Sequence, residues 1–207
     1  DHTKFLRIEH GLDEKQLERR NKEIDKLNKK LAPYRTKGSG TGFRILKGAE
    51  VNILNNGSVD IKDSSLKELD FVIAGVHSSF KMEKNRMTQR IIAAMKNPHI
   101  DIISHPTGRL IKTRDEYQID FDKILRAAKE YSVILEINSS PYRLDLNGQN
   151  IRRAKTAGVK MVINSDTHHK NQFKLMEFGI AQARRGWAQA QDIINTQPLD
   201  KLLKFFK

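Results

Sequence analysis

Four short apolar runs in this chain lead into the same kinds of side chain. Val72-Ile73-Ala74-Gly75-Val76 ends in His77, and Ile100-Asp101-Ile102-Ile103-Ser104 ends in His105. Lys160-Met161-Val162-Ile163 runs through Asn164-Ser165 into Asp166-Thr167-His168, and Arg44-Ile45-Leu46-Lys47-Gly48-Ala49 leads into Glu50. Runs this short, rich in Val and Ile, read as strands. Helical segments separate the later ones, at 84–96, 121–131 and 148–157, the last with Gly158 as its cap. Strands alternating with helices imply parallel β-α units. A parallel β/α barrel builds its active site in this way, with each strand delivering a side chain at its C-terminal end. An open doubly wound sheet also gathers strand ends on one edge, and is the alternative architecture.

The remaining segments fill in around that rhythm. A helix is expected over 13–31, with Leu17, Ile24, Leu27 and Leu31 on one stripe and charged residues on the other faces, a solvated outer helix. Pro33 stops it, and the glycine-rich stretch 37–42 reads as a loop. Further strands are expected over 43–53 and 133–138, and a short helix over 66–70. The last third reads as helical, over 173–183, 188–195 and 199–206. A full eight-fold barrel runs to about 250 residues. At 207 residues the chain suits a smaller, distorted barrel, or part of one.

His77, His105, Asp166, His168 and Glu50 are all ligand types for zinc, manganese or iron. With no cysteine in the chain, any metal must rely on His, Asp and Glu. Five candidates exceed one catalytic site with an open position, so two or more ions are expected. Such clusters suit phosphoester hydrolysis, and Glu50 or Asp166 would bridge neighbouring cations. Glu50, His105 and Asp166 form the expected catalytic core. Arg109 and Arg143, just beyond the strands that end at His105 and Asn138, are candidates to bind a substrate phosphate. Glu136, inside an apolar strand, calls for a structural ion pair or a supporting role behind the ligands. His10, His99 and His169 are read as structural. The chain has no serine nucleophile elbow, no G-x-G-x-x-G and no Walker loop. A net charge of +13 favours a polyanionic partner such as nucleic acid, or else a solvated basic surface. No apolar stretch is long enough to span a membrane, and a cytoplasmic location is expected.

These residues resemble a known family. Asp1-His2-Thr3, Gly48-Ala49-Glu50-Val51, the run from Leu69 to Phe80, Ser104-His105-Pro106-Thr107-Gly108-Arg109, Glu136-Ile137-Asn138, Arg143-Leu144-Asp145-Leu146, Ser165-Asp166-Thr167-His168 and Ala183-Arg184-Arg185-Gly186-Trp187 are similar to motifs of the polymerase and histidinol phosphatase (PHP) domain. The likeness is to its branch at the C-terminus of family X DNA polymerases. It implies an α/β fold, a distorted (βα)7 TIM-like barrel. It also implies a metal centre of two or three Mn²⁺ or Zn²⁺ ions held by His2, Glu50, His77, His105, Asp166 and His168. The implied activity is metal-dependent phosphoesterase action on DNA 3′ ends, as 3′–5′ exonuclease or end-processing, beside a polymerase domain of the same parent chain. The family's first motif, a His-x-His pair, would lie upstream of Asp1. The chain therefore reads as a single PHP domain over 1–207, an N-terminally truncated piece lacking the first strand and binding fewer metals. A histidinol-phosphate-type small-molecule phosphatase and an inactive, metal-stabilised scaffold are the alternatives.

Overall fold

The structure is a computed structural model that describes residues 1–6, 10–31 and 43–206. The expected stop at Pro33 and the glycine-rich loop lie outside the described residues. Five strands form one parallel sheet: β1 (Gly48–Asn52), β2 (Phe71–Gly75), β3 (Ile102–Ile103), β4 (Ile134–Asn138) and β5 (Met161–Asn164). Their order in the sheet is their order in the chain. A doubly wound sheet reverses strand order at a switch point, and here no reversal occurs. Single parallel bridges extend the sheet at both edges, His2 beside Glu50 and Ile193 beside Met161. Among the described residues the two outer edges are not paired to each other, so the sheet is parallel and singly wound without a closing ladder.

Helices α3 (Lys84–Met95), α4 (Phe121–Glu130) and α5 (Gly148–Ala157) make the crossovers between β2, β3, β4 and β5, while α1 (Glu14–Leu31) and α2 (Asp63–Leu66) precede β2. Each crossover helix opens on a side chain that takes up otherwise orphaned amide groups. Glu83 accepts from Asn85 N and Arg86 N, Asp120 from Lys123 N, and Asn147 from Asn150 N. Gly158 closes α5 in the left-handed conformation, φ 73°, as its residue type predicts. Strand periodicity divides the apolar side chains between two faces. Val51, Val72, Ala74, Ile103, Leu135 and Ile163 meet the helices in the main core. On the other face Ile102, Ile134 and Val162 form a second cluster with Phe71, Ile73 and the C-terminal Leu202, Phe205 and Phe206.

The last third departs from expectation. Residues 170–175 and 203–205 are 3₁₀ turns flanking α6 (Met176–Arg185) and α7 (Leu199–Leu202). The helix expected over 188–195 is instead two separate 3₁₀ turns. Ile193 sits between them at φ −111°, ψ 116°, extended so that it can bridge to Met161. Sheet pairing at one residue breaks what the local sequence would continue. Along α1, Leu17 is buried and Leu27 exposed, and the helix carries Lys22–Glu18 and Lys26–Glu23 pairs on its solvent side.

Candidate metal centre

Three of the candidate ligands stand two residues beyond a strand end. His77 follows Gly75 of β2, His105 follows Ile103 of β3, and Asp166 follows Asn164 of β5. Glu50 points from within β1, and His2 bridges to it from the sheet edge. All six candidates gather on this one rim. One ligand atom each from His2, Glu50 and His77 lies within 4.8 Å of the other two. Glu50 Oε1 is 3.3 Å from His77 Nε2 and 3.2 Å from His105 Nε2, and Oε2 is 3.7 Å from His2 Nδ1. Ring centroids step from His168 to His2 at 5.8 Å, to His77 at 5.3 Å and to His105 at 5.1 Å. Asp166 Oδ1 lies 3.8 Å from His168 Nδ1.

Backbone conformation helps assemble this cluster. His105 and Asp166 both have positive φ, 28° and 51°, a region that costs a non-glycine residue energy and recurs at functional sites. Gly75 is required at its position. A Cβ there would lie 2.5 Å from Ser104 Oγ, 2.7 Å from His77 Cε1 and 2.8 Å from Glu50 Oε1. Behind His2, Thr3 donates to Asp60 Oδ1 at 2.6 Å, and Asp60 also accepts from Phe5 N, Asn52 N and Asn52 Nδ2. Behind His168, the Gln172 side chain accepts from the amides of His168 and His169.

The donor set suits a divalent cation. Nδ1 of His2, His77 and His105 is buried without a hydrogen-bond partner, a costly state for polar atoms, and His77 Nε2 faces only Glu50 Oε1. Burial lowers the pKa of His2 and of His105, which favours the neutral ring, the form that coordinates metal. Burial alone would raise Glu50. The His105 and His77 rings beside it outweigh that and hold its carboxyl well below the usual range. These residues could therefore hold one or more borderline-hard ions. A cleft of about 690 Å³ opens beside them, lined by His2, Glu50, Asp166 and His168, and reaching Phe71 and Ile73 on the second face of the sheet.

Glu136 backs the cluster without a cationic partner among the described residues, so the ion pair considered for it is not formed. It accepts from His105 N at 2.7 Å, Asn138 Nδ2 at 3.1 Å and Asn164 Nδ2 at 2.8 Å. Burial, with Glu50 and Asp166 nearby, pushes its pKa up to about 8. Asn138 also donates to Asp166 Oδ2 at 3.1 Å. The two arginines occupy different positions. Arg143 Nε lies 3.6 Å from Asp166 Oδ2, and its Nη1 is buried without a partner. Arg109 spends its fork on backbone, Nε donating to Arg143 O at 2.6 Å and Nη2 to Leu144 O at 2.5 Å. His169 caps the 170–175 turn through Nδ1, in keeping with its structural reading. Sequence reasoning missed Ser104, which donates to Glu50 Oε1 at 2.7 Å, as well as Asp60 and Gln172. Only Ser104, next to a ligand in a strand-end motif, carried a signal.

Fold and site together define a class: a parallel β/α protein whose strand ends converge on a cluster of imidazoles and carboxylates. No family model matches the chain. It is 39% identical over all 207 residues to the DNA polymerase/3′-5′ exonuclease PolX of Bacillus subtilis, covering 35% of that protein. Over 139 residues it is 41% identical to a probable phosphatase of a Thermoanaerobacter species, covering 61% of this chain and 54% of the relative. Over 173 residues it is 34% identical to a probable phosphatase of a Shewanella species, covering 78% and 62% respectively. The chain thus spans about a third to three-fifths of the relatives it matches. It is related to the polymerase-linked branch of the polymerase and histidinol phosphatase domain, as its motifs indicate. No helix among the described residues is long and apolar enough to cross a membrane.

Proposed function

We propose that this chain is a metal-dependent phosphoesterase module acting on DNA 3′ ends, as a 3′–5′ exonuclease and end-processing activity beside a polymerase domain. The observation that carries the reading is the convergence of buried imidazoles on one carboxylate: His77 Nε2 and His105 Nε2 lie 3.3 Å and 3.2 Å from Glu50 Oε1, while Nδ1 of His2, His77 and His105 has no hydrogen-bond partner. His2, Glu50, His77, His105, Asp166 and His168 are the ligands in this proposal, for two or three Mn²⁺ or Zn²⁺ ions. Such ions supply Lewis-acid polarisation of the phosphoryl group and activation of water. The chain's own residues orient the reactants. Glu50 stays ionised between His77 and His105, where it can bridge two sites. Asn138 and Arg143 fix the Asp166 carboxylate. Arg143, partly exposed beside Asp166 and with Nη1 not committed to any protein acceptor, is the guanidinium for a non-bridging phosphate oxygen. Arg109 holds that loop by its two carbonyl contacts, and so supports phosphate binding indirectly.

DNA as substrate is supported by the relation, over all of this chain and 35% of the relative, to a protein named as a polymerase and 3′-5′ exonuclease, and by the net charge of +13. The relatives named probable phosphatases support a second reading, a small-molecule phosphatase. The test uses the parent protein with Mn²⁺ and compares turnover of a 3′-recessed duplex with that of a phosphomonoester. His105→Ala and Asp166→Ala are expected to abolish Mn²⁺-stimulated digestion. Unchanged rates in both variants would reject the assignment, and preference for the monoester would favour the second reading.

A further inference from the structure

Helices α4 and α5 lie side by side on the outer layer, and the seam between them is a groove of about 580 Å³. Four cations line it, Arg126, Lys129, Arg152 and Arg153, against one carboxylate, Asp122. That carboxylate is engaged, because Arg153 Nη2 donates to Asp122 Oδ1 at 2.7 Å. Arg126, Lys129 and Arg152 are exposed, and none forms an ion pair among the described residues. Three uncompensated positive charges in one concavity raise the local potential, and an anion there would relieve their repulsion.

Trp187 adds a second, independent observation. It is the chain's one tryptophan, and it is 62% exposed, although an indole is normally well buried. Its backbone is fixed: φ is 58°, its N–H donates to Arg184 O at 2.9 Å, and its carbonyl accepts from Lys155 Nζ at 2.6 Å. The Arg152 guanidinium lies 3.9 Å from the centroid of its ring. Arg152 therefore belongs to both the groove and the aromatic platform. One ring face carries the guanidinium, and the exposed area remains for another π system.

We infer that this seam binds single-stranded nucleic acid, with phosphates along Arg126, Lys129 and Arg152 and a base stacked on Trp187. A cationic track joined to an exposed aromatic is the combination that single strands require. A duplex keeps its bases stacked within itself and has none to offer the indole. The seam is separate from the metal rim, so this binding does not rest on the hydrolytic reading.

Because Trp187 is the sole tryptophan, its intrinsic fluorescence reports directly on the site. Titration with oligo-dT is expected to quench it, with affinity falling steeply as salt rises. Replacing two contacts, R126E/K129E, should weaken binding by about tenfold or more and lower the slope of log K against log salt by about 1.4, at about 0.7 per phosphate contact on a single strand. R126K/K129R should bind as the parent does. W187A, read by anisotropy of a fluorescein-labelled oligo-dT, should bind about tenfold more weakly. Circular dichroism checks that each variant is folded, and phosphomonoester turnover should be the same in all. A change in that turnover alone would concern the metal site, not the seam. Absence of quenching, an unchanged salt slope in R126E/K129E, or equal competition by a duplex of the same length would overturn the inference. So would binding to phosphatidylglycerol vesicles without binding to oligo-dT.

Discussion

Asp145 shows how much one side chain can organise. It is fully buried, and Oδ2 accepts from Thr107 N at 3.0 Å and Gly108 N at 2.9 Å, tying the loop after His105 to the segment after β4. Burial pushes its pKa up to about 6, against the pull of the Thr107 contacts. A carboxyl raised in the folded state binds its proton there while the unfolded chain has released it. Folding stability from this group is therefore undiminished below the unfolded pKa of about 4, and falls as pH rises towards about 6. Asp145→Asn keeps an acceptor for the two amides and cannot ionise. From pH 4 to 7 its stability relative to the parent should rise by up to about 3 kcal/mol, then level off. Urea unfolding at a series of pH values checks this, and a pH-independent difference between the two proteins would contradict it. The arginines teach the complementary lesson. A guanidinium fork fits two carbonyls as well as a phosphate, so sequence could nominate Arg109 and Arg143 together. Only the fold shows which of them has its fork on backbone.

Elements were legible where their pattern was set locally. The runs before His77, His105 and Asp166 became β2, β3 and β5, because short β-branched stretches bounded by Gly, Pro and polar residues have few other uses. Boundaries set by a partner were not legible. The strand expected over 43–53 pairs only from Gly48, opposite Phe71, and the 188–195 helix gave way to Ile193's bridge. Close packing was hidden as well. Helix α6 lies against β4 and β5 through Gly179, where a Cβ would stand 2.1 Å from Ser139 Oγ and 2.5 Å from Ile163 Cγ2. Helix propensity alone favours Gly179→Ala by about 1 kcal/mol. Overpacking a filled interface costs about 1–3 kcal/mol. Since Ser139 is buried and Ile163 belongs to β5, neither neighbour can easily withdraw. The variant should therefore be destabilised, by up to about 2 kcal/mol in urea unfolding, whereas a gain in stability would mean that α6 can move outward.

At the scale of the molecule, convergence of the ligands was readable because parallel strands carry their C-terminal ends to one edge. The supports were not, since Asp60 meets Thr3 across 57 residues and Glu136 meets His105 across 31. Those contacts are made by protein groups alone, so the fold itself holds the cluster in shape around its imidazole nitrogens. A cation that binds the folded chain and not the unfolded one shifts the equilibrium by mass action, about 2.7 kcal/mol at a hundredfold excess over its dissociation constant. For a chain of 207 residues that corresponds to a rise in Tm of about 5–10 °C. Mn²⁺ or Zn²⁺ should produce this rise and EDTA should reverse it. His77→Ala removes a buried ring whose Nε2 faces Glu50 and whose Nδ1 has no partner, and should lose most of the shift. His169 sits beside His168 in sequence but uses Nδ1 to cap a turn, so His169→Ala should keep the shift even if its starting Tm is lower. Equal shifts in the two variants would mean that the ion binds elsewhere, and that the buried rim is a hydrogen-bonded fixture of the fold.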